Sequence, residues 1–117
     1  MSKLIALDMD GVVADSHPVW LSRYNQQWSD TLKVSNITGW HMHEFVKPEC
    51  GRHVYEILAD AGLYEEIMPT RGSQSAVDVL RSRGFRVIFV TSCFAGTADA
   101  KYRWLTRHGF LHRTPVN

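Results

Sequence analysis

The chain has 117 residues, which gives room for one domain with at most a small insertion on its surface. Apolar residues make up 44% of it, enough for one modest core, and no apolar run approaches the length of a membrane-spanning helix. Thirteen basic and twelve acidic side chains are intermixed to a net charge of +1, so charge gives no reason to expect a nucleic-acid polymer or a membrane as partner.

The first third of the chain predicts one strand and one helix. A short apolar run over 3–7 stops at polar residues, which is typical of a buried strand. A helix is predicted over 16–28, with Ser16 as its N-cap and Pro18 in its first turn. Residues 29–48 are polar and irregular, so no long element is expected there.

The rest of the chain predicts three helices and a second strand. These are a helix over 51–61, an amphipathic helix over 73–83, a buried strand over 85–90 and a helix over 98–108. Gly62, Gly84 and Gly109 follow the three helices and are credible stop residues. Strand, insertion, helix, strand, helix is the order of an α/β domain with a Rossmann-like parallel sheet.

Polar residues directly follow both predicted strands. Asp8, Met9 and Asp10 follow the first, and Thr91 and Ser92 follow the second. Open parallel sheets bind ligands in the crevice beyond the carboxyl ends of their strands. We therefore expect these two polar clusters to lie together and to form the functional site.

The Asp-x-Asp pair suits phosphate-monoester hydrolysis. Gly11 allows a tight turn, so Asp8 and Asp10 can face one pocket. Asp8, ionised at neutral pH, could attack phosphorus and form an aspartyl-phosphate, with Mg²⁺ offsetting its repulsion of the phosphate. Asp10 would protonate the leaving alcohol and later deprotonate the attacking water. Thr91, Ser92 and Lys101 supply donors for the phosphate oxygens.

The same and neighbouring residues allow several other interpretations. A calcium loop starting at Asp8 needs a Glu where Val19 stands, so it fails. The Thr91–Ser92 pair could simply cap a helix, and Lys101 could be a solvated surface lysine. His41-x-His43 could bind zinc but has no obvious further ligand. A thiol phosphatase built on Cys93 needs an Arg where Asp99 stands.

The motifs resemble those of a known enzyme family. Residues 7–15 (LDMDGVVAD) and 87–92 (VIFVTS) resemble the first two motifs of the haloacid dehalogenase superfamily of phosphatases. More narrowly, residues 37–40 (ITGW), 68–73 (MPTRGS) and 101–105 (KYRWL) resemble the 5′(3′)-deoxyribonucleotidases. The resemblance covers essentially the whole chain and implies hydrolysis of a (deoxy)nucleoside monophosphate.

The resemblance also implies roles for individual residues. Asp8 is expected to be the nucleophile and Asp10 the acid-base residue, with both as Mg²⁺ ligands, Asp10 also through its carbonyl. The amides of Met9 and Gly11 are expected to join Thr91, Ser92 and Lys101 at the phosphate.

The resemblance further implies a division into core and cap. Residues 1–15 and 72–117 are expected to form the α/β core, and residues 16–71 a helical cap over it. Three aromatic residues of the cap are candidates to stack on the nucleobase: Trp20, Trp40 and Phe45.

One part of the family pattern is missing. The family continues with a third-motif lysine and a strand bearing an acidic pair at the Mg²⁺ site, whereas this chain ends at Thr-Pro-Val-Asn. The expectation is a fragment, a chain completed by a partner, or a non-catalytic module that binds nucleotide or protein. A phosphatase acting on a sugar phosphate is a further alternative. The shortened sheet predicts an exposed edge, and a homodimer could pair such edges.

Two further expectations concern the cellular setting. Cys50 and Cys93 lie far apart without a Cys-x-x-Cys pattern, which favours reduced thiols. Acidic residues also interrupt the amino-terminal segment where a secretory signal would need its apolar core. Both features favour a cytoplasmic protein.

Overall fold

A computed structural model describes residues 3–94 and 96–111 of the chain. Its strands and α-helices, in chain order, are β1 (Lys3–Asp8), β2 (Ala14–Asp15), α1 (Ser16–Trp28), α2 (Leu63–Glu66), β3 (Met68–Pro69), α3 (Ser73–Ser82), β4 (Phe85–Val90) and α4 (Ala98–Arg107). Three 3₁₀ helices, Val34–Asn36, Met42–Glu44 and Gly51–Ala59, lie between α1 and α2. None of the helices in this part of the chain is long and apolar enough to span a membrane.

The central sheet consists of β1 and β4, which pair in parallel from Lys3 opposite Phe85 to Asp8 opposite Val90. The two strands are separated by the inserted segment and α3, as the order of predicted elements requires. The predicted α/β class with a parallel sheet is confirmed. Within the described residues no third strand joins this sheet, so both of its edges are unpaired.

A second, antiparallel pair closes the inserted segment. In it Ala14 lies opposite Pro69 and Asp15 opposite Met68. The Thr70 amide adds a 2.8 Å hydrogen bond to the Val13 carbonyl. The segment therefore leaves the sheet and returns to it at one point. Its assignment as a cap over residues 16–71 stays a prediction, and the chain end discussed above lies outside the described residues.

Two predicted details of the helices are wrong. The N-cap of α1 is Asp15 rather than Ser16, whose hydroxyl is engaged elsewhere. The segment predicted as a helix over 51–61 is a 3₁₀ helix that ends at Ala59, with Asp60 rather than Gly62 at its carboxyl end. Gly84 and Gly109 adopt φ of 90° and 79°, the left-handed conformation predicted for residues that follow a helix.

The hydrophobic core lies between the inserted segment and α4. Its largest fully buried side chains are aromatic: Trp104, Tyr24, Tyr64 and Phe110. The Trp104 indole stacks on Phe110 with ring centroids 5.5 Å apart and donates a 2.9 Å hydrogen bond to the Ile67 carbonyl. Because α4 packs in this way against both the sheet side and the insertion, it holds the two parts in a fixed relation.

Candidate active site

The carboxyl ends of β1 and β4 meet at one edge of the sheet. Asp8 closes β1 directly beside Val90, the last residue of β4, and Thr91 and Ser92 follow Val90. A cavity of about 200 Å³ opens at this edge. Its lining residues are Asp8, Asp10, Leu58, Tyr64, Thr91, Ser92, Phe94 and Lys101. Five predicted site residues thus lie together, which confirms that the two polar clusters meet.

Asp8 presents an accessible carboxylate. Its Oδ1 accepts a 2.7 Å hydrogen bond from the Met9 amide, and the residue as a whole is exposed. That bond engages one carboxylate oxygen, and the residue also lines the cavity. A carboxylate held in this way can act as a nucleophile without a separate base.

The loop after Asp8 folds tightly around one carbonyl group. The Met9 carbonyl accepts hydrogen bonds from the amides of Val12, Val13 and Ala14, at 3.2, 3.1 and 2.9 Å. Gly11 has φ of 78°, which favours glycine, and its amide donates to the Ala14 carbonyl at 2.9 Å. The Met9 and Gly11 amides are therefore both engaged within the chain, and their role at a phosphate stays a prediction.

Asp10 lies at the centre of a polar network. Its Oδ1 accepts a 2.7 Å hydrogen bond from the Ser16 hydroxyl, and its Oδ2 contacts the Lys101 ammonium at 2.9 Å. The Tyr64 hydroxyl lies 3.1 Å from both oxygens. Burial, and after it the Asp10 carboxylate, raise the pKa of Tyr64, so this phenol is a hydrogen-bond donor at neutral pH.

Lys101 joins the two polar clusters. Its side chain is 7% exposed, and Nζ donates to the Thr91 hydroxyl at 2.9 Å and to the Ser92 carbonyl as well as to Asp10. The interpretation of Lys101 as a solvated surface lysine is therefore wrong. Nor does Thr91–Ser92 cap a helix, since α4 starts later, with Thr97 as its N-cap.

The three aromatic residues predicted to contact a base lie outside this cavity lining. Trp20 is buried and donates from its indole nitrogen to the Val54 carbonyl at 2.8 Å. Phe45 is half-buried against Gly39, and Trp40 is 94% exposed. The aromatic residues that do line the cavity are Tyr64 and Phe94.

The sequence interpretation missed several residues of the site. Tyr64 and Leu58 come from the inserted segment, and Ser16 comes from the first turn of α1. Tyr64 lies 54 positions from Asp10 in the chain, and no local pattern marks it. Ser16 did carry a signal, namely a hydroxyl close behind the acidic motif, but it was interpreted as a helix cap.

A larger cavity of about 760 Å³ lies elsewhere, along α1 beside Arg23. The Arg23 guanidinium forms ion pairs with Asp60 and Glu66, so its charge is already compensated. This cavity shares no lining residue with the strand ends. The chemistry-bearing residues are therefore concentrated in the smaller cavity.

The carboxylates at the strand ends are compatible with magnesium. Mg²⁺ is often bound through one or two carboxylates together with substrate phosphate oxygens, and Asp8 and Asp10 supply two such groups. Across residues 3–94 and 96–111, no group of three His, Cys, Asp or Glu side chains could hold a metal ion on its own. His43 is 2.8 Å from the Tyr55 hydroxyl, and the His41–His43 pair gains no third ligand for zinc.

Comparison with known proteins identifies the family. A sequence profile described as "5′ nucleotidase, deoxy (Pyrimidine), cytosolic type C protein" matches residues 2–116. A 5′(3′)-deoxyribonucleotidase of Clostridium acetobutylicum is 28% identical over 101 residues, covering 86% of this chain and 56% of the relative. Proteins of the same name from Bacillus subtilis and Bacillus phage SPbeta are each 30% identical over 110 residues, covering 92% of this chain and 62% of the relative. The chain thus spans about three fifths of the length of these relatives, and it belongs to the deoxy (pyrimidine) 5′ nucleotidase family of cytosolic type C.

Proposed function

We propose that this chain hydrolyses the phosphate monoester of deoxynucleoside monophosphates in the cytoplasm, through an aspartyl-phosphate on Asp8. The names of its relatives support the substrate class. One observation supports the chemistry above all: Lys101 links Asp10 to Thr91 directly beside the accessible carboxylate of Asp8. Nucleophile, acid-base residue and phosphate-binding donors are thereby within one cavity.

In the first step, an Asp8 oxygen attacks phosphorus. A new O–P bond forms while the bond from phosphorus to the leaving nucleoside oxygen breaks. Asp10, which enters this step in its protonated form, gives its proton to that oxygen, so the product leaves as an alcohol. Thr91 and Lys101 stabilise the charge on the remaining phosphoryl oxygens, because both are oriented donors at the same strand end.

In the second step, water attacks the phosphorus of the aspartyl-phosphate. Asp10, now deprotonated, accepts a proton from this water, and the bond between phosphorus and the Asp8 oxygen breaks. Inorganic phosphate is released and both carboxyl groups return to their starting states. The alternation requires Asp10 to stay in reach of the leaving oxygen and of the water, so its orientation is critical.

Magnesium is the proposed cofactor. The Asp8 carboxylate and Asp10 would hold it together with a phosphate oxygen of the substrate, and it would offset the repulsion between the anionic nucleophile and the anionic phosphate. Among the described residues that line this cavity, Asp8 and Asp10 are the only acidic ones, and no third ligand completes a metal site with them. We therefore expect weak binding of the ion in the absence of substrate.

The substrate class has structural support from the cavity wall. Phe94 is 46% exposed and brings an aromatic ring to the polar strand ends, and a nucleobase can stack on such a ring. Tyr64 is 2% exposed and is too deeply buried to offer its ring face to a base. A sugar phosphate would leave the Phe94 ring without a partner. The base contacts predicted from sequence, Trp20, Trp40 and Phe45, are a separate proposal that requires the inserted segment to rearrange on binding.

Phosphate release from a panel of deoxynucleoside monophosphates tests the proposal. The purified chain is expected to release phosphate with Mg²⁺ and to stop with a chelator, and Asp8→Asn should abolish release. The matched control is Asp78→Asn, an exposed aspartate on α3, which should leave the rate unchanged. A folded chain that releases no phosphate would instead favour the non-catalytic, nucleotide-binding alternative.

A further inference from the structure

The contact between Tyr64 and Asp10 connects the inserted segment to the acid-base residue. The Tyr64 hydroxyl lies 3.1 Å from both carboxylate oxygens of Asp10, and the side chains come from positions 54 residues apart. Tyr64 is buried, with 2% of its surface exposed. Among the described residues, Asp10 is the hydrogen-bond acceptor of this phenol.

Three contacts, two with the side chain and one with the backbone, hold Tyr64 in place. Its hydroxyl contacts Asp10, its backbone carbonyl accepts a 3.0 Å hydrogen bond from the Arg107 guanidinium, and the Lys101 ammonium lies 5.6 Å from its ring centroid. Both cations belong to α4. Because α2 is only four residues long, these contacts with α4 rather than the helix itself set the direction of the phenol.

The Lys101 contact with Asp10 competes with other partners of the same ammonium group. Its ammonium has three protons, and all three have acceptors in this structure: Asp10, Thr91 and the Ser92 carbonyl. A phosphate that takes one of these donors must displace one of these acceptors. The single proton of Tyr64 has no comparable competitor, so its bond to Asp10 can persist when substrate is bound.

We propose that Tyr64 is a positioning residue that holds the Asp10 carboxyl group in the orientation needed to protonate the leaving oxygen. This inference rests on the proposed phosphatase function. Ser16 contacts one carboxyl oxygen and Tyr64 lies between the two, so together they restrict rotation of the group about its terminal torsion. The inserted segment thereby contributes to proton transfer as well as lining the cavity with Leu58 and Tyr64.

The test compares Tyr64→Phe with Tyr24→Phe. Tyr24 is a matched control because it is fully buried in the same core and its hydroxyl also contacts a carboxylate, Asp30, at 2.6 Å. Each variant is assayed for kcat and KM with a deoxynucleoside monophosphate and with p-nitrophenyl phosphate. The second substrate releases a stable phenolate, so its cleavage depends far less on protonation by Asp10.

The expected result is a loss in kcat of about tenfold or more for Tyr64→Phe with the deoxynucleotide, from one hydrogen bond to a charged group. The value of kcat/KM with p-nitrophenyl phosphate reports only the first step, up to release of the phenolate, so it should stay near wild type, as should KM with the deoxynucleotide. Tyr24→Phe should leave the kinetics of both substrates unchanged. Equal losses of kcat/KM with both substrates, or a change confined to KM, would overturn the positioning role. A wild-type chain inactive on both substrates would instead refute the proposed function, and this inference with it.

A readout independent of activity separates the contact from its role. The melting temperature is measured for Tyr64→Phe, Asp10→Ala and the double variant. If the two side chains interact, the shift caused by Tyr64→Phe should be smaller in the Asp10→Ala background than in the wild type. Additive shifts would show that the phenol does not hold Asp10 in solution, which overturns the inference even if the enzyme is active.

Discussion

The two faces of the central sheet differ in how far the rest of the chain covers them. On one face Leu7, Val87 and Phe89 are half-buried against the core, and Phe89 meets Phe110 edge-on with ring centroids 5.7 Å apart. The opposite face is open: its apolar side chains Leu4, Ile88 and Val90 are 57%, 40% and 57% exposed. Helices therefore cover one side of β1 and β4, and nothing in the described residues covers the other.

This asymmetry divides the candidate active site. Asp8 shares the open face with Leu4 by strand alternation, and it is exposed. Asp10, in the loop after β1, accepts hydrogen bonds from Ser16, Tyr64 and Lys101 on the helices. The proposed acid-base residue, Asp10, is thus held by side chains of the covered side, whereas the proposed nucleophile, Asp8, lies on the open face.

Removing the cation at the centre of the covered side should have the largest effect. Lys101→Met keeps most of the side-chain volume but leaves Asp10 without its ion pair and Thr91 without its donor. We expect phosphate release to fall by about 10²-fold or more. The free energy of unfolding should fall by about 1–3 kcal/mol, since the carboxylate keeps two other donors and some solvent.

Enzyme assays and urea unfolding measure these two quantities. Lys33→Met is the control, because Lys33 is exposed and lies far along the chain from the strand ends. It should change neither quantity measurably. A Lys101→Met variant with full activity would mean that the contacts of Lys101 with Asp10 and Thr91 are not needed for catalysis.

Much of the covered side could be predicted from sequence. The runs 3–7 and 85–90 are short and apolar, and the polar residues after them mark the strand ends. Glycine stops and amphipathic spacing gave α3 and α4 nearly to the residue. The segment 51–59 is a 3₁₀ helix instead of an α-helix. Its two buried residues, Val54 and Ile57, are three positions apart, so the three-residue period of this helix places both on one face.

The site residues that could be predicted are those that lie next to a strand end in the sequence. Asp8, Asp10, Thr91 and Ser92 follow directly from the strand ends, since parallel strands bring such residues together. Tyr64 depends on how a four-residue helix packs against α4, which no sequence period specifies. The exposed sheet edge was predicted from sequence, whereas the open face was not. The homodimer that could pair such edges stays a prediction for sedimentation analysis.

A pair of alanine substitutions at neighbouring strand positions sharpens the comparison of the two faces. Val87→Ala removes half-buried methyl groups from the covered face and should lower the free energy of unfolding by about 1–2 kcal/mol. Ile88→Ala removes more carbon atoms from the open face and should cost less than about 1 kcal/mol. Urea unfolding of both variants measures the two losses in free energy of unfolding and shows which is larger.

The opposite ranking would show that the open face is covered in solution. Sedimentation of the same samples would then report whether a second copy of the chain covers it. A homodimer that dissociates on Ile88→Ala would link the open face to assembly. A strict monomer at high concentration would contradict the predicted dimer.

The smallest expected effect concerns a histidine at the margin of the covered side. Burial, and after it the neighbouring Arg107, lower the pKa of His108 below its ordinary value of 6.5. Its ring lies 4.6 Å from that of the buried Trp104, and the lowered pKa means that the neutral form is favoured in the folded chain. The unfolded chain then binds more protons than the folded chain as the pH falls through 6.5, and stability declines in that range.

His108→Gln should remove this contribution. We expect the free energy of unfolding of the variant to fall less steeply than that of the wild type between about pH 7.5 and about pH 5.5, above the range in which ordinary carboxylates titrate. His41→Gln, at an exposed position, is the control and should leave the slope unchanged. If His108→Gln and His41→Gln give the same slope as the wild type, the His108 ring is hydrated in solution, and the covered side is more open at its α4 margin than the Trp104 contact indicates.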